Sequence, residues 1–283
     1  MSVTARLAGF AAVLALVFGA TMAVGSVAGT KPGRATEPPA MTGMAAGHGA
    51  AEAPRGLGVA DDGLRLVTEG PATRRPGETR PFTFRIVDRD GATVRDFDVE
   101  HTKRLHLIAV RRDLTGYQHL HPVQTPDGSW SVPLGFAEAG VYRVYADFTA
   151  HGREKTTLAT DVFVPGDFRP RPLPAPATHV AADGYDITLE GTPRAGAEGD
   201  LRFSVSKDGR PVAVQPYLGA DGHLVALREG DLAYLHVHPQ ESPGSGGPIR
   251  FMTEYPSAGR YRLFLQFRHD GVVHTAAFTQ VVR

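Results

Sequence analysis

The sequence predicts an all-β chain, two tandem immunoglobulin-like β-sandwich domains after an N-terminal transmembrane or signal helix. Three observations carry this. Short runs with apolar residues at alternate positions recur between turn signals, the period of strands buried on one face. Those runs appear in the same order twice. Glycine and proline are abundant, 33 and 22 in 283 residues, as a chain of many turns requires.

Residues 1–30 read as a signal-anchor or signal peptide. No charge falls between Arg6 and Lys31, and the 24 residues between them are dominated by Ala, Val, Leu, Gly and Phe. That length spans a bilayer. Ser26-Val27-Ala28 also suits signal cleavage, but the apolar run exceeds the roughly 7–15 residues of a signal core. An uncleaved anchor with the domains extracytoplasmic is therefore favoured, with secretion after cleavage as the alternative. Residues 31–60, without apolar periodicity, form a flexible linker. Met41, Met44 and His48 within it are able to catch soft Cu(I), although a small-residue linker that happens to contain them is the simpler account.

Residues 61–165 form the first sandwich. Phe82, Phe84 and Ile86 alternate before the Asp90-Gly91 turn. Leu105, Leu107 and Ala109 face away from His106, Ile108 and Val110. Asp127-Gly128 leads into Trp130, Val132 and Leu134. Val141–Phe148 and Leu158–Val164 close the unit. Residues 166–182 are a Pro-rich, semi-rigid linker. Residues 183–283 repeat the order with Tyr185–Leu189, Leu201–Val205, a Lys207-Asp208-Gly209 turn and a late strand from Gly259. Ala139-Gly140-Val141-Tyr142 and Ala258-Gly259-Arg260-Tyr261 match the tyrosine corner of Greek-key sandwiches. Tyr142, Tyr261 and Trp130 are thus fold residues.

The chemistry sits in one duplicated stretch, LHLIAVRRDLTGYQHLHP at 105–122 and GHLVALREGDLAYLHVHP at 222–239. His106, His119 and His121 recur as His223, His236 and His238, each residue 117 positions further on. Histidines two apart on a strand share a face. In the second copy a tight turn at Glu229-Gly230 pairs Arg228 with Asp231, which sets His223 opposite His236. Cross-strand neighbours are close enough for the three imidazoles of each copy to converge. Three neutral imidazoles suit a copper or zinc ion, Cu(II) or Zn(II). Water or a carboxylate supplies a fourth position: Asp147 in the first copy, where the second has Gln266. His151, His269 and His274 lie near the next connections and are able to supplement either site. His101 has no counterpart, and His179 lies in the spacer. A structural reading of the same pattern stands beside this one. A His before Pro at a strand end caps an edge by bonding a carbonyl, and duplication copies structural residues as faithfully as ligands.

Composition narrows the classes. Lys plus Arg and Asp plus Glu balance at 30 each, without a basic cluster, which argues against nucleic acid. The chain has no cysteine, which excludes disulfides, thiolate ligands, Cys nucleophiles and a blue-copper centre. It contains no G-x-S-x-G, H-E-x-x-H or P-loop, so it reads as a binding protein and not an enzyme. A metal-dependent hydrolase would need an Asp or Glu at the open coordination position.

The run HLIAVRRDLTGYQHLHP, with the Trp strand and AGVYRVYADF that follow, resembles a group of exported bacterial proteins. These are tandem immunoglobulin-like or cupredoxin-like β-sandwich proteins with HLHP motifs, described as secreted or heavy-metal-binding. The resemblance covers residues 61–283 and implies a copper or other heavy-metal role outside the membrane, carried by the six histidines. The missing cysteine separates the chain from electron-transfer cupredoxins.

The expectation is an extracytoplasmic metal-binding protein in heavy-metal handling or resistance, held to the membrane by its N-terminal helix. Its affinity falls as pH drops below about 6.5, because neutral imidazoles are required. The alternative is a cell-surface interaction or adhesion module with structural histidines, no metal, and another exported protein as partner.

Overall fold

A computed structural model of the chain describes residues 54–235, 237–240 and 247–283, with Leu16; of His238 it describes only the backbone. The anchor or signal helix, the linker up to residue 53 with Met41, Met44 and His48, and His236 fall outside the described residues. Among the described residues no helix is long and apolar enough to cross a membrane. Residues 50–283 form one compact unit.

The first repeat supplies β1 (Ala60–Asp61), β2 (Leu64–Glu69), β3 (Thr79–Val87), β4 (Leu105–Arg111), β5 (Gln118–Leu120), β6 (Val123–Gln124), β7 (Trp130–Gly135), β8 (Gly140–Thr149) and β9 (Lys155–Val164). They form two antiparallel sheets, β1-β2-β3-β7-β6 and β5-β4-β8-β9. The second repeat supplies β10 (His179–Ala182), β11 (Tyr185–Glu190), β12 (Glu198–Lys207), β13 (Arg210–Pro211), β14 (His223–Arg228), β15 (Tyr234–Leu235), β16 (Val237–Pro239), β17 (Ile249–Glu254), β18 (Gly259–His269) and β19 (Val272–Val282). Its sheets, β10-β11-β12-β17-β16 and β15-β14-β18-β19, reproduce the first order strand for strand, with β13 added beside β12. β10 takes the last residues of the stretch read from sequence as spacer.

Each repeat is a sandwich because each pair of sheets shares a core. In the first, Phe82, Phe84 and Trp130 of one sheet pack with Leu105, Leu107 and Val144 of the other. In the second, Ile187, Phe203 and Phe251 meet Leu224, Leu263 and Phe278. Outer strands such as β11 alternate strictly between buried and exposed positions. β4 is buried at every position, because its two faces serve two different cores. Leu105, Leu107 and Ala109 enter the sandwich, while Ile108 and Val110 join Tyr145, Val225, Leu227 and Phe264 in a third apolar cluster. That cluster lies between the repeats. It welds the β4 sheet to the β14 sheet, with Tyr117 stacked on Phe264, ring centroids 4.1 Å apart. Tyr145 also donates its buried hydroxyl to the Leu232 carbonyl across the boundary, at 2.7 Å.

Both tyrosine corners are present. Tyr142 donates to the Glu138 carbonyl and Tyr261 to the Ser257 carbonyl, each at 3.0 Å and each four residues back.

The second hairpin departs from its expected register. Arg228 pairs with Ala233 and not with Asp231: its N–H bonds the Ala233 carbonyl at 3.0 Å, and Leu227 and Ala226 face Tyr234 and Leu235. The turn is longer because Asp231 accepts from the Arg228 guanidinium and from the Ala233 amide, and Leu232 takes a left-handed φ of 63°. Leu114 has the same φ in the first copy, after the equivalent Arg111–Asp113 pair. The register is thus displaced by two residues, and the count that would set His223 opposite His236 does not start from Arg228 and Asp231.

Candidate metal centre

The interdomain face of β4 runs Val110, Ile108, His106, apolar until its last position. β14 repeats this with Leu227, Val225, His223. The third apolar cluster therefore ends in histidines from both repeats. His119 lies opposite Ile108 on β5 and so shares the face of His106. His121 follows two residues later. One ring nitrogen from each of His106, His119 and His121 comes within 4.8 Å of the other two. Their ring centroids are 5.2, 5.1 and 4.7 Å apart. The first-copy triad converges, as its spacing predicts.

His223 stands beside the first triad. Its ring stacks on His119 at 4.4 Å and on His106 at 5.4 Å. Of the remaining second-copy pair, His236 lies outside the described residues, and His238 is described only as strand backbone opposite Met252.

Hydrogen bonds orient the rings. His106 Nε2 faces the Glu100 carbonyl at 3.2 Å, so this nitrogen carries the proton and Nδ1 offers a lone pair. His119 Nδ1 faces Gln266 Oε1 at 2.7 Å, so it donates there and turns Nε2 inward. The two inner nitrogens are 2.9 Å apart. Two lone pairs at that distance need a cation between them or a shared proton. Among the described residues His121 Nε2 and His223 Nδ1 are buried with no hydrogen-bond partner, which is costly for a polar atom unless something completes it. Metal-bound histidines typically donate their other N–H to a carbonyl or carboxylate. His106 and His119 do so here.

The surroundings favour neutral rings. Burial pushes His106, His119 and His121 down to about 4, and His223 well below its ordinary value. Asp147, opposite His106 on β8, is buried and opposes this fall. Its Oδ1 accepts from Thr157 at 2.7 Å, and Lys155 Nζ stands 3.3 Å from its other oxygen. Lys155 also bonds Glu100 at 2.7 Å. Two carboxylates, Glu100 and Asp147, thus stand near the rings together with two ammonium groups, Lys155 and Lys103, the latter acting on His121. Gln266 holds the place of Asp147 in the second repeat: it lies opposite His223 and contacts Thr275, as Asp147 contacts Thr157.

Other histidines sort differently. His101 borders the cluster, 6.2 Å from His106 and 6.1 Å from His223 by ring centroid. His151 pairs with Asp98 at an exposed position, 2.8 Å away. His269 bonds the Tyr185 hydroxyl at 2.8 Å, and His274 pairs with Asp183 at 3.1 Å. His179 faces Asp186 at 3.4 Å. These four have partners of their own. Sequence reasoning did not foresee Gln266 as the group that orients His119, or His223 as a neighbour of the first triad. The signal was β4 itself: an apolar run with no exposed face means that something covers its outer side.

The sequence matches one family model twice, described as Domain of unknown function (DUF8832), over residues 59–164 and 178–283. Among curated proteins none matches. Among solved structures, Salmonella alpha-2-macroglobulin reacted with methylamine is similar at 16% identity over 82% of this chain and 15% of that one, TM-score 0.30. A marsupial T cell receptor is similar at 13% identity, covering 77% and 98%, TM-score 0.22. Domains 5-6 of the S-layer protein SbsC are similar at 10% identity, covering 77% and 98%, TM-score 0.23. The chain spans only about 15% of the alpha-2-macroglobulin chain. Likenesses this distant carry no functional argument.

Proposed function

The chain belongs to the family described as Domain of unknown function (DUF8832), and from that premise we propose that it binds Cu(II) or Zn(II) through His106, His119 and His121, in heavy-metal handling. One observation carries the reading. His106 and His119 each direct their outer N–H to a carbonyl oxygen, so their inner lone pairs meet 2.9 Å apart beside the His121 ring. Three imidazole nitrogens with no sulfur ligand suit these borderline ions. The Asp147 carboxylate, opposite His106, adds a negative charge beside them.

We read the protein as a binder without catalysis, each repeat as an immunoglobulin-like sandwich, and the sandwiches as extracytoplasmic, tethered or released through the apolar segment at 7–30. Support comes from the paired tyrosine corners and from the uncharged length of that segment.

The competing reading is an interaction module with structural histidines, and one contact favours it. Gln266 Nε2 reaches Thr275 Oγ1 only at 3.3 Å. With the amide turned round, its NH2 donates to His119 Nδ1, its oxygen accepts from Thr275, and His119 Nε2–H donates to His106 Nδ1. No lone pairs then converge.

Calorimetric titration of the untagged protein with Cu(II) and Zn(II) separates the two. Metal binding predicts a Kd below about 1 μM, lost in His106→Ala/His119→Ala/His121→Ala while the circular dichroism of the sandwiches persists. Weak binding, equal in parent and variant, decides for the interaction module.

A further inference from the structure

The centre reaches beyond the first repeat. His223 is the residue of the second repeat that matches His106, and the two rings stack with planes 13° apart at 5.4 Å. Its neighbour across the strand, Gln266, is the group that orients His119. So one pair of adjacent strands in the second sandwich supplies both an imidazole and the orienting acceptor to a cluster begun in the first. Four imidazoles around one ion, at nitrogen distances of roughly 2.0–2.1 Å, place ring centroids about 5.2 Å apart in a tetrahedron and about 4.5 Å apart at right angles. The separations among His106, His119 and His121 are 4.7 to 5.2 Å, and those of His223 to His119 and His106 are 4.4 and 5.4 Å. His101, at 6.1 and 6.2 Å from its ring neighbours, lies one layer further out. His223 Nδ1 is buried beside the triad without a hydrogen-bond partner among the described residues. His223 lies outside the group whose ligand nitrogens already come within 4.8 Å of one another, so its ligation requires the ring to turn toward them.

We propose that the ion is held between the two sandwiches, with His223 of the second repeat as fourth ligand beside His106, His119 and His121 of the first. This rests on the metal reading above and adds two things to it. The chain takes one ion and not one per repeat, and the ion cross-links the two sandwiches.

Cu(II) itself is the probe. The full-length chain is titrated and examined by pulsed electron paramagnetic resonance, which counts coordinated imidazoles, beside His223→Ala and His223→Phe. The phenyl ring keeps the stacking on His106 and His119 but carries no nitrogen, so it holds the fold if alanine does not. The expected result is one equivalent bound with four imidazoles in the parent and three in His223→Phe. Affinity in the variant falls by at least the roughly 10–100-fold that loss of a mere outer partner costs. An unchanged imidazole count and affinity in His223→Phe overturns the proposal and leaves the triad standing, as does uptake of two equivalent ions by the parent. Absence of specific Cu(II) binding in the parent overturns both.

Discussion

His119 Nδ1 stands 2.7 Å from Gln266 Oε1, one residue from each repeat. With Oε1 facing the ring, the contact sets the tautomer of His119 and with it the direction of the lone pair on Nε2. An acceptor that cannot be turned round holds that tautomer more firmly. Gln266→Glu, whose carboxylate only accepts, is expected to keep or raise Zn(II) affinity. Gln266→Leu removes the acceptor and is expected to lower affinity roughly 10–100-fold. Competition against a chelating dye at neutral pH measures both. If Gln266→Leu binds as the parent does, the amide has no orienting role.

Asp113 anchors the turn that presents His119 and His121. Burial raises its pKa, but both oxygens accept from Arg111, at 2.9 and 2.8 Å, and further donors come from Thr115 and the Arg171 amide. The donors win and hold it at about 2, against an ordinary 3.8. A depressed carboxylate stabilises the fold fully above its unfolded pKa and loses that contribution as pH falls through its folded one. Asp113→Asn is therefore expected to cost roughly 2 kcal/mol at neutral pH. The gap to wild type is expected to close as pH falls from 3.8 to about 2. Urea unfolding across that range is the check; a gap independent of pH would assign the cost to geometry and not to charge.

The tyrosine corners allow a comparison within one chain. Tyr142 and Tyr261 make the same bond at the same length, to carbonyls four residues back. Each Tyr→Phe change is expected to cost about 1 kcal/mol, with similar values in the two repeats. Chemical denaturation of the single and double variants tests this, and costs that add indicate independent corners.

The alternation of Phe82, Phe84 and Ile86, the Asp-Gly turns and the doubled Ala-Gly-x-Tyr were enough to read all-β sandwiches in an internal repeat. The convergence of His106, His119 and His121 was legible too, because strand period and hairpin proximity are local properties. The second hairpin was misread because Arg228 holds Asp231 by its side chain, which pulls a backbone pairing position into the turn. The joining of His223 to the first triad was beyond local reasoning. It depends on sheets from two repeats covering each other, and sequence signals that only indirectly, through the unbroken burial of β4.

That covering makes its own prediction. Ile108 and Val225 are fully buried where the repeats meet, with Tyr145 bonded across to the Leu232 carbonyl. Opening the boundary exposes this apolar cluster and strips Tyr145 and Leu232 of their hydrogen bond, each an unfavourable step. The two sandwiches are therefore expected to melt as one calorimetric transition. Ile108→Asp sets a carboxylate among apolar side chains, where an unpaired charge is costly to bury, while the neighbouring Leu107 and Ala109 still serve the sandwich core. The variant is expected to melt in two transitions, because each sandwich keeps its own core. Val123→Asp, at a position 72% exposed on the edge of the other sheet, is expected to leave the single transition intact. Two transitions in the wild-type protein would mean that the third apolar cluster does not couple the repeats. One transition in Ile108→Asp, at a temperature near wild type, would mean that the boundary admits a charge and is wetter than its burial implies.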